Sequence, residues 1–272
     1  RSGIMNRTEL VELIKRKQSF LCVGLDTDPA KLPNVVKGAE NPVLEFNRSI
    51  IESTLQFTVC YKLNIAFYES MGEVGWKTLR ETIKLIPKGE ALIIADAKRG
   101  DIGNTATQYA RAFFEDLNCD AITINPYMGK DSVTPFLDYE NKWSIVLGLT
   151  SNPGAQDIEL LKLDDGRMVF EAAIENIAAY GSSDNMMFVV GATKADYFEK
   201  VRNVAPDHFL LIPGVGAQGG ALEDLRSLLT SDVGILVNSS RGIIYASSAE
   251  DYATAAAREA QKLQVAMSEM LR

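Results

Sequence analysis

The sequence predicts an α/β chain that closes as a single (β/α)8 barrel, the TIM-barrel architecture, and three observations carry that expectation. Apolar runs of strand length recur along the chain. Helical patterns separate them. Polar residues gather at one end of the runs. The runs are FLCVGLD (20–26), TVCYKLN (58–64), ALIIADA (91–97), AITIN (121–125), SIVLGLT (144–150), MMFVVGA (186–192), HFLLIPG (208–214) and GILVNSS (234–240). Each is aliphatic or β-branched and nearly unalternated, as strands buried on both faces of a parallel sheet are. A doubly wound open sheet is the structural alternative, but eight regular repeats favour closure.

Between the runs, residues 42–57 place Val43, Phe46, Ile50 and Phe57 at helical spacing, with Asn41 as cap and Pro42 in the first turn. Residues 166–180, 195–203 and 221–229 read the same way. The last helix is expected over 249–271, opened by Ser248 and Asp251 in a capping-box pattern. Residues 155–168 include LKLDDGRMVF, whose Asp-Gly step marks a loop or short hairpin able to cover the site. The 272 residues, 46% hydrophobic, suffice for one large core, and 5–272 is taken as one domain. Arg1–Ile4 ahead of Met5 reads as an expression scar.

The net charge of −8 argues against a nucleic-acid partner, which needs a basic face. No apolar run reaches membrane-spanning length and no secretory signal is visible, so a cytoplasmic protein is expected. Cys22, Cys60 and Cys119 form no CxxC and fall in or beside apolar runs, which suits buried free thiols in a reducing compartment. His208 precedes a strand, at the face of a barrel where residues serve stability, and reads as structural.

The polar residues are more telling. Asp26, Lys62, Asn64, Asp96, Lys98, Asn125, Thr150, Ser151 and Asn238 all lie at or just past the C-terminal ends of runs. Active sites of (β/α)8 barrels form at that face. Strands always turn polar as they leave a core, but lysine is seldom buried unpaired, and here it ends two strands. In Asp96-Ala97-Lys98, strand alternation would point both charged side chains to one side. Gly100 then turns the chain and Asp101 follows. With Lys62 from the second strand, an alternating array of Lys62, Asp96, Lys98 and Asp101 results. Its acids hold the lysines protonated, which suits stabilising a carbanion and delivering a proton to it. A structural ion-pair network is the plainer reading of the same residues.

GVGAQG (214–219) matches G-x-G-x-x-G, but it follows the seventh run, and the acid that would hold a ribose is missing from GILVNSS. A glycine-rich turn before a helix still offers N–H groups to a phosphate, and NSSRGI (238–243) adds Arg241 after the eighth run. The loops after the seventh and eighth strands are the usual phosphate site of this fold. In LTSNPGA (149–155), Ser151 could donate to a polar heterocycle or phosphate, as could Gln218, although Asn152-Pro153-Gly154 is also a plain turn. No motif with metal-ligand spacing appears, so no metal is expected.

DAKRGDIGNTA resembles the D-x-K-x-x-D-I-x-x-T signature of the orotidine 5′-phosphate decarboxylase family, in its longer bacterial form. LDTDP, YKLN, TSNPGA, IPGVGAQGG and SSRGI, after strands one, two, five, seven and eight, extend the resemblance over nearly the whole chain. It implies a homodimeric barrel that converts orotidine monophosphate to UMP and CO₂, in de novo pyrimidine biosynthesis, without a cofactor. By the same resemblance, Lys98 would protonate C6 of the pyrimidine, Asp96 would face the substrate carboxylate, and Lys62 would bridge the acids and the ribose. Asp101, Ile102 and Thr105 would reach into the neighbouring subunit's site. Asp26 and Asn64 would bind the ribose or its surroundings, Ser151 the base, and Gln218 and Arg241 the phosphate.

Three rivals remain. Sugar-phosphate decarboxylases and aldolases share D-x-K-x-x-D but bind Mg²⁺ through further carboxylates. A Schiff-base aldolase would need Lys98 to lose its proton, which flanking acids oppose. A binding-only barrel is the third.

Overall fold

In the computed structural model, residues 3–215 and 222–272 are described. All the expected apolar runs form strands. They are β1 (Leu21–Gly24), β2 (Cys60–Asn64), β3 (Leu92–Arg99), β4 (Ala121–Ile124), β5 (Trp143–Leu149), β6 (Met186–Val190), β7 (Phe209–Ile212) and β8 (Ile235–Ser239). They close a parallel barrel in the order β1 to β8. Parallel neighbours need a crossover between them, and the helices supply it.

By contact density the chain divides into two compact units, Arg1–Ala97 with Asn238–Arg272, and Lys98–Val237. In the first, β1 pairs with β2 with Cys22 opposite Cys60, and β2 pairs with β3 with Asn64 opposite Asp96. The helix Pro42–Thr54 buries Val43, Phe46, Ile50 and Ile51, and Asn41 caps it through the Leu44 N–H at 3.1 Å. The helix Tyr252–Met270 packs on it, with Phe46 stacked against Tyr252 at 5.3 Å between ring centroids. In the second unit, β4 to β8 pair in sequence, and Trp143 meets Phe209 edge-on at 6.4 Å. His208 packs edge-on against Phe188, as its structural reading requires. The three cysteines are buried and form no disulfide. Among the described residues, no helix is long and apolar enough to cross a membrane.

Several expectations need adjusting. The capping box at Ser248 does not form. Ser247, one residue earlier, takes the Ala249 N–H on its hydroxyl and bonds Asp251, so the last helix starts only at Tyr252. Residues 195–203 split into a 3-10 turn, Ala195–Tyr197, and a helix, Phe198–Val204. The helix Gly72–Leu85, and the helix Gly103–Ala110 running on into a π-turn at Arg111–Asp116, add to the helices read from periodicity.

Candidate active site

The first unit supplies a buried charge cluster at the C-terminal ends of its strands. Lys62 is 6% exposed, as is Asp96. Asn64, not Lys62, lies opposite Asp96 in the register, so Lys62 stands two residues short and its long side chain reaches forward to Asp96 Oδ2 at 2.9 Å. Burial pushes the Lys62 ammonium down, but the carboxylates of Asp96 and Asp26 outweigh it and hold the group above the ordinary lysine range. Two acceptors beside this pair lack a partner. Asp26 Oδ1 and Asn238 Oδ1 are both buried without a hydrogen bond, while Asn238 Nδ2 donates to Ser240 Oγ at 3.2 Å. Gly24 makes room for this end of β8. A Cβ there would stand 1.8 Å from Ser240 Oγ and 3.2 Å from Asn238 Oδ1. Buried polar atoms are rarely left unsatisfied, and when they are, a donor from outside the chain is a natural partner. Asn238 is visible in the sequence as a strand-end polar residue, but nothing in its spacing singles it out.

A second network, not foreseen, steadies the loop after β1. Thr27 donates to Asn47 Oδ1 at 2.6 Å, and Asn47 Nδ2 donates to the Tyr68 hydroxyl at 3.1 Å and to Thr82 Oγ1 at 3.0 Å. Tyr68 passes its own proton to the Leu25 carbonyl at 2.9 Å, and burial raises its phenol above the usual range. From the other side, Tyr245 takes the Asp28 N–H at 2.9 Å. Leu25 and Asp28 bracket Asp26, so its backbone is held from both sides. Asn64, expected at the ribose, caps the helix Ile65–Glu69 through the Ala66 N–H at 3.3 Å. Arg241, two residues past the end of β8, starts the short helix Arg241–Ile244 and is exposed.

The second unit begins at Lys98. Its side chain is exposed, and its φ of +47° is left-handed. That conformation departs from the extended backbone on which the alternation argument rests. Asp101 turns its Oδ1 onto the Ile102 N–H at 2.8 Å, at the entry of the helix Gly103–Ala110. Ile102 is half exposed and Thr105 is exposed. Ser151 follows β5 and is partly buried. Its carbonyl accepts from Thr193 at 3.2 Å, and Gly191 packs against it so tightly that a Cβ would lie 2.7 Å from its Cα. Glu159 clamps the preceding residue, taking both the N–H and the hydroxyl of Thr150 at 2.6 Å. The 155–168 segment does contain a short hairpin. Leu163 donates to Arg167 at 2.8 Å around a turn with Gly166 at φ +88°. Thr150 and Glu159 line a cavity of about 610 Å³ with Asn125, Tyr127, Leu147 and Phe170. Gln218 lies outside the described residues. Among those described, no group of three or more His, Cys, Asp and Glu side chains is placed to hold a metal ion.

Comparison with known proteins agrees with this barrel. Residues 19–257 match the family model described as Orotidine 5′-phosphate decarboxylase / HUMPS family. The orotidine 5′-phosphate decarboxylase of Phocaeicola vulgatus is 50% identical over 98% of this chain and 99% of its own length. That of Christiangramia forsetii is 51% identical with the same coverage. Among solved structures, Leishmania donovani OMP decarboxylase superposes with a TM-score of 0.78 at 36% identity, over 97% of this chain and 99% of its own. A family match across most of the chain, with relatives at half identity end to end, leaves one conclusion: the chain belongs to the orotidine 5′-phosphate decarboxylase / HUMPS family.

Proposed function

We propose that this chain decarboxylates orotidine 5′-phosphate to UMP and CO₂. The observation that carries the reading is the strand β3, which leads from an apolar core to Asp96, buried and paired with Lys62 at 2.9 Å, and then to an exposed cation at Lys98. When the bond from C6 to the carboxylate breaks, its electron pair stays on C6 and CO₂ leaves. No ring orbital is placed to delocalise that pair. Fixed positive charge beside C6 is then the main stabiliser, and Lys98 supplies both the charge and the proton that ends on C6. Solvent restores the lysine's proton, so the cycle balances without a cofactor.

The other residues take parts that suit their chemistry. Asp96 faces the substrate carboxylate. Lys62 pairs with Asp96 and reaches the ribose with Asp26, whose buried Oδ1 still has an acceptor site for a hydroxyl. Asn64 keeps a place beside the ribose while capping its helix. Ser151 reads the base from a turn anchored on both sides. Gln218 and Arg241 hold the phosphate, far from the bond that breaks, where binding energy can fix the base in place. Asp101, Ile102 and Thr105 serve a neighbouring subunit in a homodimer, and the half-exposed Ile102 side chain supports that role. Residues 5–272 act as one domain, in the cytoplasm, with a nucleotide as the partner and no nucleic acid.

The test is a spectrophotometric assay with orotidine monophosphate, with and without EDTA. Turnover that EDTA leaves unchanged is expected. The Mg²⁺-dependent reading of the family predicts loss in EDTA and recovery with Mg²⁺. The end of β2 disfavours it, because Lys62 and Asn64 stand where a divalent cation would need an acid. Borohydride trapping of an adduct on Lys98 would point to Schiff-base chemistry instead. Tight UMP binding with no turnover would leave a binding-only barrel.

A further inference from the structure

We infer that Thr123, a β4 residue with no part in the chemistry, is a positioning residue for Lys98. The inference rests on the reading of Lys98 as the proton donor. Lysine is a poor choice for a left-handed backbone. In that region the Cβ crowds the following carbonyl oxygen, and lysine lacks the short polar side chain that lets Asn or Asp offset it. At φ +47°, Lys98 must therefore be held in place by its surroundings.

The hold comes from β4. The Lys98 N–H donates to Thr123 Oγ1 at 2.9 Å. Two residues on, the Asn125 N–H donates to the Arg99 carbonyl at 2.8 Å. Gly100 lies close against Asn125, where an added Cβ would be 3.2 Å from the Asn125 Cβ. So residues 98 to 100 are gripped in turn by Thr123 and Asn125. The second grip is backbone to backbone and would survive most substitutions. The first depends on a hydroxyl. Thr123 is 1% exposed, its register on β4 is fixed opposite Ile145 of β5, and a β-branched side chain has little torsional freedom, so its oxygen is a fixed point.

By holding the Lys98 N–H, Thr123 fixes the backbone from which the ammonium extends. Catalysis by a placed charge is steep in position, and a displacement of about 1 Å can cost about 100-fold.

The experiment uses Thr123→Val, which keeps the shape but removes the acceptor, and Thr123→Ser, which keeps the acceptor but removes a methyl group. Each is assayed for kcat, KM and UMP affinity on the full chain. Thr123→Val is expected to lower kcat by about 10- to 100-fold with UMP affinity unchanged, and Thr123→Ser to return kcat to within a few-fold of the parent. A residue that only fills the core would give the reverse order, because serine leaves a void and valine does not. If Thr123→Val does not fold, Thr123→Ala takes its place, with UMP binding as the check of the native state. A kcat within twofold of the parent in the hydroxyl-free variant, or a serine variant no better than it, overturns the inference. Lys98→Ala run alongside separates the two ideas. If it abolishes turnover while Thr123→Val has no effect, only this inference fails. If it keeps turnover, the proton-donor reading fails and takes this inference with it.

Discussion

The two ends of the first unit treat buried polar groups in opposite ways. At the N-terminal end, Lys17 donates to the carbonyls of Leu55, Thr58 and Glu90, each at 2.7 Å. An ammonium has three protons, and all three are used. At the C-terminal end, Lys62 is tied to Asp96, but Asp26 Oδ1 and Asn238 Oδ1 have no hydrogen bond at all. A barrel needs its lower end only for stability, and among the described residues of this unit no buried side-chain polar atom there lacks a partner. Its upper end must leave donors and acceptors for a ligand. Within this unit, saturation at one end and unmet capacity at the other separate scaffold from site.

That contrast can be broken or sharpened by substitution. The largest effect is expected at Lys98, where Lys98→Ala should lower kcat on the order of 10⁴-fold or more while UMP binding stays measurable by calorimetry. Mixing that variant with Asp101→Ala should recover part of the activity when subunits exchange, because one hybrid site then carries both native residues. Lys62→Met comes next. It removes the counter-charge that Lys62 gives the buried Asp96 and should cost about 3–5 kcal/mol in denaturant unfolding, as well as activity. Arg241→Ala should raise KM on the order of 100-fold with a smaller change in kcat, since phosphate binding is felt equally before and during the reaction. An unchanged KM would move the phosphate elsewhere.

Lys17→Met is the mildest and the most diagnostic of the lower end. It should cost about 1–2 kcal/mol of stability through carbonyls left short of a donor, with kcat unaltered. It should also change a pH profile. Burial lowers the Lys17 ammonium to about 8, against the opposing pull of Glu90, while an unfolded lysine stays near 10.5. Between those values the unfolded chain binds more protons than the native one, so this group makes stability rise with pH from about 8 to 10.5. The variant should lose that rise, which unfolding midpoints across the window would show.

Much of this was legible before any coordinates. Strands buried on both faces need unbroken apolar residues, so the runs marked themselves, and the true strands fall within or very near them. The lysines and acids at the strand ends were legible because charge is costly at the edge of a core. What escaped was whatever depends on geometry within a residue. The left-handed φ of Lys98 leaves no trace in its neighbours. Asn47 reads as an ordinary polar position on the helix Pro42–Thr54, yet it is buried and central to the network under Asp26. Ser247 outcompeted Ser248 as partner of Asp251 because both fit the pattern and only the chain direction chooses. Thr123, in AITIN, looks like any β-branched strand residue.

The left-handed Lys98 has a consequence for how this protein would change under relaxed selection. Glycine fits that backbone without penalty, and asparagine fits it better than lysine. If the activity were no longer needed, drift at position 98 toward either residue would be rewarded by a sturdier fold. A lysine here is thus a mark of continuing purpose. Among distant copies of the barrel, the residue at this position should separate those that still work from those that merely fold.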